Sequence, residues 1–293
     1  METVKTIVAA LDLEAGSDAV LARAVQLATE HGARLVVVHV VEAPSLAPSP
    51  PERHETDLEA HLTHQAQAAI SALLAEGGSV SADVEVGFGA PHAVITDVAG
   101  TRGADLVVIG PGQYHSLGEK VLGSTADRVV RTSPVPVLVV RDHSAARYRR
   151  VAAAVDFSPQ SAAAAKSALR LVPAARFELV HAFSIPLTFE QAMLRAGTSE
   201  TDMQAYRSAK RASAHKRLSR FVREVFGTET VGTHILDGEP APSLLRLARS
   251  GDIDLLALGP NGRGVILRTL LGSVTQRVLR EAACDVLVAS VPD

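Results

Sequence analysis

The residues best suited to chemistry lie late in the chain. Gly259-Pro-Asn-Gly262 is followed by nine residues and then by Gly272-Ser273-Val274-Thr275, where a helical pattern begins. Glycines let backbone N–H groups approach an anion with no Cβ in the way. A hydroxyl residue at a helix start adds its O–H to the free N–H groups of the first turn. Two glycines, the nine-residue gap and a Gly-Ser pair describe a phosphate cradle more specifically than any lone glycine after a strand. The plainer reading is a turn followed by an ordinary helix entry. Asp156 ends an apolar run and is open to two readings, a ligand contact or a helix cap. DFSPQSA itself reads as a helix start, with Ser158 as cap and Pro159 at the first helical position.

The same pattern occurs earlier in weaker form. Residues 105–122, then GSTADRVVR, align with residues 254–271, then GSVTQRVLR, at a constant offset of 149. The offset matches Gly110 to Gly259, Gly123 to Gly272 and Ser124 to Ser273, and GAP at 89–91 to GEP at 238–240. Asp12 matches Asp156, and His39 matches His181, at slightly smaller offsets. The chain therefore reads as a duplicated domain, 1–143 and 148–293, joined through RDHSAARYRR at 141–150. In the first copy Gln113 stands where the second glycine belongs, and shifting the reading to Gly112 breaks the nine-residue gap.

The elements that must position these residues alternate. TIVAALD, RLVVVHVV, VSADVEVGF, DLVVIG and VPVLVV are short β-branched runs, read as buried strands. Helical patterns cover roughly 16–31, 55–77, 90–102 and 123–132, with a Pro-rich excursion at 42–55. The second half repeats the scheme, with strands near 150–156, 176–183, 230–236, 254–259 and 285–290 and one long helical region at 187–227. Parallel strands need helical crossovers, so each half is expected to be a doubly wound, Rossmann-like α/β domain with a five-stranded parallel sheet. Such sheets bind ligands beyond the carboxyl ends of their strands, where Asp12, Asp156, Gly110 and Gly259 fall.

Composition agrees. The chain has 293 residues, 47% hydrophobic and 21% charged, enough for two globular domains. No apolar run approaches the ~18 residues of a membrane span, and METVKTIVAALDLEAG lacks a signal-peptide pattern, so a cytoplasmic protein without a membrane partner is expected. A single cysteine, Cys284, excludes an internal disulfide framework and reads as a small buried hydrophobe. The net charge of −3 is a cancellation: residues 1–144 hold 9 basic and 18 acidic residues (−9), residues 145–293 hold 20 and 14 (+6). That balance argues against a nucleic-acid grip by the whole chain and suits the second half to a phosphorylated ligand.

With Asp156, Gly259, Gly262, Gly272 and Ser273 in place, the chain resembles a tandem universal stress protein over nearly its full length. The resemblance implies a regulatory protein that binds ATP, or AMP or ADP, with a divalent cation such as Mg2+ accompanying the phosphates. It implies that Asp156 and the backbone at Ala182 face adenine and ribose, and that Gly262, Gly272, Ser273 and Thr275, with Val274 between them, hold phosphates. The weaker first-half set is Asp12, Val40, Gly110, Gly123, Ser124 and Thr125. It also implies association through the last strands, VPVLVV and DVLVAS, either within the chain as a pseudo-dimer or with a second chain as a homodimer, and an unidentified protein partner.

Other features carry alternatives. His39 and His181 end equivalent strands near both clefts and read first as structural histidines. His54, His61 and His64, with Asp57, have helical spacing open to zinc. Lys210, Arg211, Lys216, Arg217, Arg220 and Arg223 form a basic helix face, solvated or paired with the acidic half. Slow ATP hydrolysis or phosphoryl transfer is a rival activity, although no P-loop Gly-Lys-Ser/Thr and no base beside Ser273 is evident. A third reading is a scaffold whose first cleft, near Phe88, Leu117 and Val121, takes another small molecule.

Overall fold

Short Val-, Leu- and Ala-rich runs become strands when both faces can be covered, and here both are. A computed structural model describes residues 3–14, 16–42, 53–77 (without the side chains of 53–56), 81–112, 122–141, 144, 146–227, 231–262, 270–289 and 291. In chain order the first half contains β1 (Thr6–Leu11), α1 (Ser17–His31), β2 (Arg34–Val41), α2 (Arg53–Gly77), β3 (Ala82–Phe88), α3 (Pro91–Thr101), β4 (Leu106–Ile109), α4 (Ser124–Thr132) and β5 (Val137–Val139). The second half contains β6 (Arg150–Ala154), α5 (Pro159–Leu171), β7 (Arg176–Phe183), α6 (Leu187–Arg195), α7 (Glu200–Phe226), β8 (Gly232–Asp237), α8 (Pro240–Arg249), β9 (Leu255–Leu258), α9 (Ser273–Glu281) and β10 (Asp285–Val288).

The strands form one ten-stranded sheet in the order β3-β2-β1-β4-β5-β10-β9-β6-β7-β8. Each half supplies five parallel strands, and the halves meet where β5 and β10 pair antiparallel, Val137 opposite Val288 and Val139 opposite Val286. The last strands thus associate within the chain. One core layer packs α1, α2, α5 and α7 on one face of the sheet, and a second packs α3, α4, α8 and α9 on the other.

One expectation is corrected. The helical region at 187–227 is two helices, α6 and α7. Gly197 takes a left-handed φ of 78° after α6, and Ser199 caps α7 by accepting from the Asp202 N–H at 3.1 Å. A glycine followed two residues later by a capping serine is a stop and a start.

Described residues on both sides of the junction meet in a buried polar knot. Asp285 of β10 accepts from the Arg141 N–H at 2.6 Å and the Tyr148 hydroxyl at 2.5 Å. Arg23 of α1 lies 3.2 Å from the same carboxylate, stacks 4.1 Å above the Tyr148 ring and donates to the Ala146 carbonyl. Arg23 and Asp285 are both almost fully buried. Burial and the neighbouring Asp285 charge raise the Tyr148 hydroxyl pKa well above its ordinary value. The same two causes push the buried Cys284 thiol up to about 12. Arg147–Glu30 at 2.8 Å and Arg170–Asp105 at 3.5 Å join the basic half to the acidic one. The basic face of α7 is not part of that seam: the ion pairs described for the helix, Arg207–Glu190 and Arg211–Asp237, stay within the second half.

Candidate functional site

β6 delivers Asp156 to the carboxyl end of the sheet. Its Oδ1 accepts from the Ser158 N–H at 3.0 Å and the Ser158 hydroxyl at 2.5 Å. Ser158, not Asp156, caps α5, accepting from the Ser161 N–H, with Pro159 in the first turn. The carboxylate therefore orients the cap through Oδ1. Phe157 between them has a left-handed φ of 67°, and Leu13, following Asp12, has 61°; they are the only such non-glycine residues described. A left-handed bulky residue costs on the order of 1–2 kcal/mol and concentrates at functional turns. The sequence reading missed both, because neither residue type signals that conformation.

The glycines converge on Asp156. A Cβ on Gly262 would stand 3.0 Å from Asp156 Oδ2. A Cβ on Gly272 would meet the Asn261 Cα at 3.3 Å and the Gly262 nitrogen at 3.6 Å, and the Gly272 N–H donates to the Pro260 carbonyl at 2.8 Å. Gly259 lies against α5, its absent Cβ only 3.1 Å from the Gln160 backbone. The glycines thus have two roles: Gly262 and Gly272 keep the loop crossing closed, and Gly259 keeps the strand end under the helix.

Ser273 is exposed at the first position of α9, with Gly272 as N-cap and Val274 half-buried behind it. The first ladder bond of the helix runs from the Gln276 N–H to Gly272, so the earlier amides need other partners. Thr275, which the resemblance sets among the phosphate residues, has its hydroxyl committed within the protein. It is buried and donates to the Gly259 carbonyl at 2.8 Å, so its one hydroxyl proton fastens α9 beneath the loop. Asn261 is also buried, and its Oδ1 has no partner among the described residues. Orphaned buried polar atoms of this kind mark places where a partner is missing.

His181 and His39 occupy equivalent positions. His181 Nδ1 lies 2.7 Å from the Val155 carbonyl, and His39 Nδ1 lies 2.9 Å from the Leu11 carbonyl. A carbonyl only accepts, so each Nδ1 carries its proton and ties one strand end to the next. Ala182 and Val40 follow, half-buried at the strand ends. The Phe157 ring is 4.4 Å from His181, with the Arg217 guanidinium 4.4 Å above it, so α7 braces the turn that carries Asp156.

The model of the universal stress protein family matches residues 3–141 and again 147–290. The chain belongs to this family. A universal stress protein of Mycolicibacterium smegmatis is 28% identical over 292 residues, covering 96% of each chain. One from Mycobacterium tuberculosis is 28% identical over 272 residues, 87% of this chain and 86% of that protein. The crystal structure of a universal stress protein from Archaeoglobus fulgidus shares the fold, with a TM-score of 0.66 and 19% identity over 97% of this chain and 98% of that one.

Within this universal stress fold the two copies differ at the loop after the fourth strand. Gly112, the counterpart of Asn261, takes a left-handed φ of 85°, and a Cβ there would lie 2.8 Å from the Gly123 Cα. Asn261 has no left-handed φ, so the two loops differ in backbone conformation at this position. Gln113 itself, with Leu117 and Val121, falls outside the described residues. Gly110 follows β4, Gly123 caps α4, and Ser124 and Thr125 open that helix, Ser124 exposed. Asp12 Oδ1 accepts from the Glu14 N–H and the Ser17 hydroxyl. Phe88 is half-buried at the end of β3. His61, His64 and Asp57 are exposed on α2, and the His54 side chain is outside the described residues. No group of three His, Cys, Asp or Glu residues fit to hold a metal forms among the described residues. Nor is any described helix long and apolar enough to cross a membrane.

Proposed function

We propose that the second repeat binds an adenine nucleotide, ATP foremost, and that the chain acts as a regulatory protein passing the state of that site to a protein partner. The observation that carries this reading is the convergence of Asp156 Oδ2, Gly262 and Gly272 at the start of α9. A cradle that a single Cβ would fill, beside a carboxylate and free helix amides, suits a ribose hydroxyl on one side and phosphate oxygens on the other. The amides of Ser273, Val274 and Thr275 and the Ser273 hydroxyl would meet phosphate. Asp156 and the backbone at Ala182 would meet ribose and adenine. A Mg2+ ion would enter with the phosphates, as that ion commonly does. In the first repeat the left-handed Gly112 path makes a weaker site. The +6 balance of residues 145–293 favours the same assignment.

The test is calorimetric titration of ATP, ADP and AMP, with and without Mg2+, into the intact chain and into Gly272→Val/Ser273→Ala. One strong site in the wild type, lost in the double variant, is expected. Equal affinity in both overturns the assignment.

A further inference from the structure

The duplication supplies an internal comparison at the amino ends of the strands, the end of the sheet opposite the glycine loops. In the first half Arg34 opens β2, and its Nε donates to Asp83 Oδ2 of β3 at 2.7 Å. Register identifies the counterparts. Val36 lies beside Asp83, and Glu178 lies beside Gly232. Arg176, two residues before Glu178, therefore corresponds to Arg34, and Gly232 corresponds to Asp83. The second half keeps the arginine and has lost its carboxylate.

The flanking strand adds to the imbalance. Thr6 neighbours Arg34, whereas Arg150 neighbours Arg176. Like charges side by side on adjacent strands destabilise each other. Arg150 reaches Asp254 at 3.5 Å, but Arg176 is exposed and forms no ion pair among the described residues, neither with Glu178 nor with any other carboxylate. Beside it opens a cleft of about 400 Å³ lined by Leu169, Pro173, Ala175, Arg176, Phe177 and Val231, with Gly232 at its edge. That volume falls in the range of small-molecule sites, and the open cleft is walled by apolar side chains and backbone with Arg176 as its one charged side chain. A Cβ at Gly232 would stand 3.2 Å from both the Glu178 Cβ and the Phe177 carbonyl oxygen, so the bare backbone fits here closely.

We propose that this cleft is a binding site for a hydrophobic monocarboxylate. The ligand's carboxylate takes the place on Arg176 that Asp83 occupies on Arg34, as a charge-assisted pair, and its alkyl or aryl body lies against Leu169, Phe177 and Val231. The site is independent of the nucleotide reading, since it lies at the other end of the strands.

The experiment titrates sodium octanoate into the full chain by calorimetry, with octanol as a probe of equal length and no charge. One saturable octanoate site is expected, with octanol at least tenfold weaker. Arg176→Gln, an exposed substitution that leaves the fold intact, lowers octanoate affinity at least tenfold. Gly232→Asp, which rebuilds the first-half pair, removes binding. The proposal is overturned by no saturable binding up to about 10 mM, by octanol binding as well as octanoate, or by unchanged affinity in Arg176→Gln. The octanol comparison decides the matter even if the glycine variant fails to fold.

Discussion

Replacing Gly262 by alanine tests the site with a single methyl group. The added Cβ would lie 3.0 Å from Asp156 Oδ2, inside the ~3.5 Å at which non-bonded atoms make their best contact. The carboxylate cannot simply swing aside, because Ser158 holds its other oxygen through both N–H and O–H. It must retreat by a few tenths of an ångström, and the methyl group then occupies the path of the ligand. Loss of one charged hydrogen bond to the nucleotide costs about 1.5–3 kcal/mol, roughly a tenfold to hundredfold rise in Kd. Stability should change by less than about 1 kcal/mol, because Gly262 is exposed and its φ is not left-handed. Gly259→Ala makes the contrast. There the methyl group meets the Gln160 and Ser161 backbone at 3.1–3.2 Å, which cannot give cheaply, so a stability loss of about 1–3 kcal/mol is expected. ATP calorimetry and urea unfolding of both variants separate the effects. Wild-type ATP affinity in Gly262→Ala, or a stability loss equal to that of Gly259→Ala, refutes the reasoning.

The junction gives further predictions. Asp285→Ala strands the buried Arg23 charge and removes the acceptor of Arg141 and Tyr148, so urea unfolding should show a loss of about 3–5 kcal/mol. A result below about 1 kcal/mol would mean that water already reaches the knot. Tyr148 and Cys284 both have raised pKa values in the folded state, so the native chain holds their protons more tightly than the unfolded chain. For Cys284 that contribution is complete below pH 9 and is lost as pH rises from there to about 12, by up to ~1.4 kcal/mol per pH unit; for Tyr148 it is complete below pH 10 and is lost only above that. Cys284→Ala should flatten the decline between pH 9 and 10, and denaturant unfolding across that range measures it. Thr275→Val leaves the Gly259 carbonyl without its side-chain donor at a buried site, a loss of about 1–2 kcal/mol by the same assay.

Periodicity and the 149-residue offset made much of this molecule legible. Alternating β-branched runs and amphipathic stretches give strands and helices whatever their neighbours are, so the two parallel five-stranded units followed from local pattern. The Ser158-Pro159 helix start was legible because both residues act within one turn. What escaped depends on through-space partners. The resemblance sets Thr275 among the phosphate residues, but nothing in the spacing tells that its hydroxyl proton goes to the Gly259 carbonyl 16 residues away. Arg23 carries no sequence mark of its burial, because its partner Asp285 is brought beside it only by β10. Phe157 and Leu13 carry no sequence mark of a left-handed turn, since that conformation comes from the strand-end aspartate folding back on the next helix. The split of 187–227 was legible in principle, from Gly197 and Ser199, and was masked by the helical propensity on either side.

The covalent duplication also explains why the halves are free to differ. A homodimer joined through its last strands must carry two identical sites, so any change that suits one cleft is imposed on both. Here β5 and β10 join within one chain, and each copy can change alone. The seam itself has become asymmetric: Asp285 lies on β10 only, and Arg23 reaches it from the other repeat. The loops have diverged, Gly112 left-handed in one half and Asn261 in the other, with Gln113 opposite Gly262. The strand starts have diverged as well, Asp83 in one half and Gly232 in the other. The charge split of −9 and +6 follows the same division. Divergence at both ends of the sheet, around a β5–β10 seam that keeps the copies in register, is what a division of labour requires. It leads to a specific expectation for Asp83→Gly, which should leave Arg34 unpaired as Arg176 is. If carboxylate capture depends only on a freed arginine, that variant gains a second octanoate site. If the apolar cleft of the second half is also needed, the stoichiometry stays at one.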